Sequence, residues 1–154
     1  ATAPPTRRGT VGGPAADPPP GTGDGHLSLI GDLKSVAAGI VPTPQQVAVA
    51  DVGRGVEMFR NENVHIPVAG IIENMAWFTP AELPENRYYL FGRGGARAYA
   101  EQSGVEFLGE IPIVQSIMES SDEGLPAVAT QPAVEACYRE IAGRIVACVM
   151  KQAQ

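Results

Sequence analysis

The sequence contains few of the residues on which metal binding and nucleophilic catalysis usually depend. It has two cysteines and two histidines in 154 residues. Cys137 and Cys148 fall in one helical segment about 16 Å apart along its axis, too far to form a disulfide or to share a metal ion. We predict that both face the core. His65 is predicted to be structural and His26 to lie in a solvated loop. Because these are the only histidines and no serine lies in a nucleophile-elbow pattern, a nucleophilic enzyme has little support.

Basic clusters and long apolar runs are also missing. The formal net charge is −6, and Arg7-Arg8 is the longest basic run. Nucleic acids and anionic membranes are therefore poor candidate partners. No apolar run approaches the roughly 20 residues of a membrane span, and no signal peptide opens the chain. We expect a soluble cytoplasmic protein.

The residues that are present are sufficient for one folded domain. Hydrophobic residues make up 44% of the chain and charged residues 18%. The start lacks apolar periodicity and is rich in proline and glycine, so we predict a disordered or aberrant arm over residues 1–16 and a domain over 17–154. Alternating strand and helix patterns follow. Strands are predicted at 36–41, 67–72 and 105–109, and helices at 45–60, 94–103, 114–120 and 132–152.

The boundaries of these elements have local signals. Thr43 is predicted to cap the first helix, with Pro44 at the first helical position and Gln46 completing a capping box. Gly104 is predicted to end the second helix. Pro112 is expected to break the third strand, and the segment 75–90 is expected to be irregular because it contains two prolines.

This order of elements predicts an α/β fold, a parallel sheet with helices on both faces. Ligands of such sheets bind beyond the carboxyl ends of the strands. Thr43, Asn74 and Ile111-Pro112 follow the three predicted strands, so we expect them along one edge of the sheet.

A short segment near the start, Asp17-Pro18-Pro19-Pro20-Gly21-Thr22-Gly23-Asp24, combines two carboxylates with a rigid turn. The prolines exclude helix and central strand, and the glycines leave backbone N–H groups free to face an anion. The segment is therefore suited to a magnesium-bound phosphate. An acidic surface turn is the alternative, since all these residue types are common in turns.

From Asp17 onward the chain resembles the Mrp family of P-loop ATPases, which are cytosolic iron–sulfur cluster carriers of the MinD group. Several short motifs carry the resemblance, and they occur in the order of the family. They are the Asp17–Asp24 segment, His26-Leu27-Ser28-Leu29, Thr43-Pro44-Gln45, Gly70-Ile71-Ile72-Glu73-Asn74-Met75, Phe91-Gly92 with Gly94-Gly95, Gly109-Glu110-Ile111-Pro112 and Ser121-Asp122-Glu123-Gly124.

The resemblance implies a three-layer P-loop NTPase fold that binds ATP and magnesium. It assigns Asp17 the catalytic Walker B role, in which the carboxylate holds magnesium through water. Pro20, Gly21 and Thr22 would lie near the γ-phosphate. It implies further that Asn74 reads the adenine edge and that Pro112 packs on the purine. A homodimer and iron–sulfur acceptor proteins are the implied partners.

Three departures from the family pattern limit what the resemblance implies. No Walker A loop occurs, and the two lysines, Lys34 and Lys151, lie outside any glycine-rich loop. The residues before Asp17 do not form an apolar strand. No Cys-x-x-Cys pair follows the Asn74 motif, where residues 77–84 contain no cysteine, so a bridging iron–sulfur cluster is not expected.

Two functions follow from these features. In the first, we expect the chain to resemble the C-terminal part of an ATP-binding iron–sulfur carrier, incomplete at the N-terminal side of its sheet and inactive alone. In the alternative, we expect a non-enzymatic α/β module for binding or dimerisation. The family hydrolyses ATP, whereas the absent Walker A loop argues against hydrolysis by this chain.

Overall fold

A computed structural model describes residues 15, 37–62, 64–80, 82–114, 117, 124 and 132–152. Three strands and three helices alternate along this part of the chain. They are β1 (Ala38–Ile40), α1 (Gln46–Arg60), β2 (Val68–Phe78), α2 (Gly95–Ser103), β3 (Phe107–Ile113) and α3 (Pro132–Gln152). Within the described residues, none of the helices is long and apolar enough to cross a lipid bilayer.

The three strands form a parallel sheet in the order β1-β2-β3. β1 pairs with β2 in a register that places Ile40 opposite Ile71. β2 pairs with β3, and Asn74 lies opposite Ile111. The predicted α/β fold with a parallel sheet is therefore confirmed.

Each face of the sheet is covered by its own apolar cluster. On one face, α1 and α2 bury Val52, Val56, Ile71, Ala96, Ala100 and Val105 together. On the other face, α3 packs through Ile141 against Ile72, Leu108 and Ile111. Because adjacent residues of a strand point to opposite faces, Ile71 and Ile72 contribute to different clusters. Helices on both faces were predicted, and three layers are observed.

The central strand β2 is longer than predicted, and Asn74 lies inside it. Pairing continues past Asn74 to Phe78, which lies opposite Ile113 and also pairs with Tyr88. Met75 has a positive φ of 57°, and the register between β2 and β3 shifts beyond Asn74. Glu73 and Asn74 thus stay paired with β3, and the register shifts after Asn74, before Phe78 pairs with Ile113. Phe78 and Tyr88 also exchange two backbone hydrogen bonds of 2.8 Å.

Pro112 does not break β3, contrary to the prediction. In the described part of the chain, β3 pairs only with β2 and forms an edge of the sheet. The register between these strands pairs Ile111 and Ile113 but skips Pro112. A proline without an N–H is tolerated at such a position because no ladder hydrogen bond is lost.

The predicted cap of the first helix is also wrong. Gln45, in an extended conformation, precedes the first helical residue, and no side chain caps the helix. Pro44 thus lies outside α1. The second helix ends as predicted at Gly104, which has a left-handed backbone, and the third helix has its predicted bounds.

Other predictions lie outside the described residues. These are the arm over 1–16 except residue 15, the Asp17–Asp24 segment, most of the helix over 114–120 and the loop at 121–124 except residue 124. The domain boundary at residue 17 stays a prediction.

Candidate functional site

The sheet topology brings two of the predicted site residues to neighbouring strands. Asn74 on β2 lies opposite Ile111, and Pro112 is the next residue of β3. The backbone N–H of Asn74 donates a hydrogen bond of 2.8 Å to the carbonyl of Pro42, just beyond β1. At the level of Asn74, β2 thus contacts both the segment that follows β1 and the Ile111 position of β3. Both β2 and β3 continue beyond this level, because Phe78 pairs with Ile113.

The Asn74 side chain is partly exposed, and a local hydrogen bond orients it. Its Oδ1 accepts the Met75 N–H at 2.9 Å. Its Nδ2 has no hydrogen-bond partner among the residues that the structure describes. A primary amide offers two donors on nitrogen and a second acceptor site on oxygen. The residue can therefore present both a donor and an acceptor to a ligand, which is what an adenine edge requires.

The other predicted site residues are Asp17, Pro20, Gly21 and Thr22. All four lie outside the described residues. Their assignment to magnesium and phosphate continues to depend on the sequence motif alone.

Glu73 is a buried carboxylate beside Asn74 that the sequence motifs did not single out. It is only 1% exposed and is the one buried polar or charged side chain found in the described segments. Its Oε2 accepts the Ala96 N–H at 2.8 Å, and its Oε1 accepts the Gly94 N–H at 3.2 Å. These donors open α2, whose preceding residue is a glycine without a capping side chain. An acidic residue inside an apolar strand was the signal that could have identified it.

In the segment after Asn74, Phe78 pairs with Tyr88 in an antiparallel bridge that defines an aromatic hairpin. The Arg87 guanidinium lies 4.3 Å from the centre of the Trp77 ring. Met75, Leu83, Tyr88 and Leu90 are largely exposed. In the described residues, no group of three or more His, Cys, Asp or Glu side chains is arranged to hold a metal ion.

The two cysteines are free and face the sheet, as predicted. The Cys137 thiol donates a hydrogen bond of 3.0 Å to the carbonyl of Glu110. Burial raises the pKa of this thiol, and the carboxylates of Glu140 and Glu110 raise it further. The thiolate that binds iron is therefore disfavoured at Cys137.

Comparisons with known proteins agree with the predicted resemblance. A family model described as the NUBPL iron-transfer P-loop NTPase (ParA) matches residues 15–146. The chain is 43% identical over 132 residues to an "iron-sulfur protein required for NADH dehydrogenase, mitochondrial" of Arabidopsis thaliana, covering 84% of this chain and 41% of that protein. It is 45% identical over 116 residues to an "iron-sulfur cluster transfer protein NUBPL" of Dictyostelium discoideum, covering 75% of this chain and 35% of that protein.

A bacterial relative and a solved structure also match. The chain is 40% identical over 135 residues to an "iron-sulfur cluster carrier protein" of Synechocystis, covering 84% of this chain and 38% of that protein. A solved nucleotide-binding protein from Archaeoglobus fulgidus, in complex with ADP, is 37% identical with a TM-score of 0.49, covering 58% of this chain and 36% of that chain. The chain thus spans less than half the length of these relatives. It belongs to the ParA/NUBPL family of iron-transfer P-loop NTPases.

Proposed function

We propose that this chain forms the base-binding side of the nucleotide site in an NTPase that delivers iron–sulfur clusters to acceptor proteins. The position of Asn74 carries the proposal. Asn74 lies opposite Ile111 of β3 and bonds the Pro42 carbonyl beyond β1, and its Nδ2 has no partner in the described part of the chain. Relatives named as carriers or transfer proteins of iron–sulfur clusters support the biological role.

The nucleotide in this proposal is ATP or ADP with magnesium. Asn74 would hydrogen-bond the adenine edge, and Pro112 would contact the purine. Asp17 would hold magnesium through water, while Pro20, Gly21 and Thr22 would face the γ-phosphate. The magnesium ion, when bound, would neutralise phosphate charge. The support for the magnesium and phosphate roles is the Asp17–Asp24 motif.

The iron–sulfur cluster would be cargo of the complete protein. This chain's own residues do not fit a bridging cluster, because no Cys-x-x-Cys pair occurs in the sequence. In addition, the Cys137 thiol donates a hydrogen bond to the Glu110 carbonyl, and the pKa of this thiol is raised. We propose no step through a cluster on these residues. Pairing with a second copy and a cytoplasmic location stay proposals, and the name of the Arabidopsis relative includes "mitochondrial".

Replacing Asn74 by alanine tests the base-binding role. We expect the affinity for ADP to fall about tenfold, as for the loss of one or two hydrogen bonds, while the weaker affinity for GDP stays the same. Ligand-observed NMR competition measures both affinities. Asn86→Ala, at an exposed asparagine of the hairpin, is the matched control and should bind like the unmodified chain. Equal ADP binding by Asn74→Ala and the control would refute the role.

The alternative function, a non-enzymatic module, is favoured by the absence of a Walker A loop from the 154 residues. Without the backbone cradle and lysine of that loop, transferring phosphate charge is not neutralised. We therefore expect the chain alone to release no phosphate from Mg-ATP above background in a coupled phosphate assay. A clear turnover that Asp17→Ala abolishes would show instead that the chain is a complete ATPase.

A further inference from the structure

The Glu73 carboxylate is buried in the core beside the central strand's apolar residues. It lies on β2 directly before Asn74, and the two residues that precede it, Ile71 and Ile72, are apolar core residues. A buried carboxylate is costly unless hydrogen bonds satisfy it. Here the two oxygens accept the N–H groups of Gly94 and Ala96. The side chain thus bonds two residues that lie 21 and 23 positions later in the sequence, and it anchors the start of α2 to the central strand.

The start of α2 depends on this anchor because it has no cap of its own. Gly94 has a left-handed backbone and no side chain. The first N–H groups of a helix have no partner inside the helix, and a carboxylate at this end also interacts favourably with the helix dipole. Glu73 provides both interactions from a neighbouring strand.

A second contact ties the same helix start to the segment after β1. The carbonyl oxygen of Pro44 lies against Gly95, so closely that a Cβ there would be 2.4 Å away. The carbonyl of Pro42, two residues earlier, accepts the Asn74 N–H at 2.8 Å. The contacts therefore close a ring that runs from Asn74 through Pro42 and Pro44 to Gly95, and back to the strand through Glu73.

We propose that Glu73 is a positioning residue for nucleotide recognition, because it closes this ring and so fixes the backbone that presents the Asn74 amide. Glu73 and Asn74 point to opposite faces of β2, so Glu73 does not touch the base. It acts on base selectivity through the orientation of its neighbour. This inference rests on the proposed base-binding role of Asn74.

The test compares base selectivity in the unmodified chain and in Glu73→Gln. The glutamine is isosteric but places an NH₂ group opposite one of the two N–H donors, so one hydrogen bond is lost. Titrations of ¹⁵N-labelled chain with ADP and with GDP are followed on the Asn74 side-chain amide signals, which Asn74→Ala identifies. We expect the ratio of ADP to GDP affinity to fall at least about fivefold in Glu73→Gln.

The control is Glu101→Gln, which removes the same charge from an exposed position of α2 and should keep the ratio. A merely structural role would weaken ADP and GDP binding alike, and an unchanged ratio in folded Glu73→Gln would overturn the inference. If Glu73→Gln does not fold, the same ratio is measured in Glu73→Asp. Aspartate keeps the carboxylate, but its side chain is one methylene shorter and holds the two N–H groups less well. A reduced ratio in that variant supports the positioning role, and an unchanged ratio overturns it.

The same titrations separate this inference from the function on which it rests. If the unmodified chain shows no shift of the Asn74 amide with ADP, the base-binding role and the positioning role both fail. If the chain prefers ADP and Glu73→Gln keeps that preference, only the positioning role fails.

Discussion

Replacing Leu108 by alanine is expected to lower the free energy of unfolding by about 3 to 4 kcal/mol. Leu108 is 0% exposed and packs with Ile72, Ile111 and Ile141 between β3 and α3. Its side chain also lies over Gly70, where an added Cβ would be 2.5 Å from the leucine Cγ. Because Gly70 has no side chain that could move into the space, the cavity would collapse poorly.

Urea denaturation measures this loss, and Leu90→Ala is the matched control. Leu90 is 61% exposed, so its truncation should cost less than about 0.5 kcal/mol. The slope of free energy against urea should be alike in both variants if only stability changes. A Leu108→Ala midpoint equal to that of the control would mean that α3 does not pack on the sheet as described.

Replacing Gly95 by alanine is expected to destabilise the chain by about 2 to 3 kcal/mol, although alanine is the better helix former. The added Cβ would lie 2.4 Å from the Pro44 carbonyl oxygen and 3.1 Å from a methyl group of Val49. The carbonyl belongs to the backbone before α1, so it cannot rotate away. The helix start would have to move, which would also strain the hydrogen bonds to Glu73.

Gly143→Ala is the internal control for this substitution. Gly143 lies in α3, and a Cβ there would meet nothing within 4 Å. We expect this variant to gain up to about 1 kcal/mol from helix propensity alone. Thermal unfolding should thus shift in opposite directions for the two variants. Stabilisation by both would contradict the close contact between Pro44 and Gly95.

Much of the fold could be predicted because its signals are local. The apolar stripe of α3 and the left-handed glycine after α2 each depend on neighbours within one or two turns of helix. The family resemblance also depends on short contiguous motifs, and the family model confirms it.

The errors occurred where a partner strand or helix decides the outcome. Two prolines in residues 75–90 suggested irregular structure, yet Phe78 stays in β2 because Tyr88 and Ile113 pair with it. Pro112 is accommodated because the pairing with β2 skips it. Neither partner is visible in the sequence around the residue concerned.

The candidate site divides in the same way. Asn74 and Pro112 were identified from motifs, and their roles stay proposals that the Asn74→Ala experiment tests. Because the second strand was predicted to end at residue 72, Glu73 was placed outside it, whereas it lies inside β2. Its bonds to Gly94 and Ala96 span more than twenty residues, so no local pattern could predict them.

The sequence alone determined the alternating order of strands and helices, the family that the chain resembles, and the lack of a Walker A loop and a Cys-x-x-Cys pair in its 154 residues. These properties follow from residue types and short spacings. Only the tertiary structure decided that a buried carboxylate joins β2 to α2 beside Asn74, and that Pro44 lies against Gly95. Burial and pairing depend on segments that are distant in the chain, and folding alone brings those segments together.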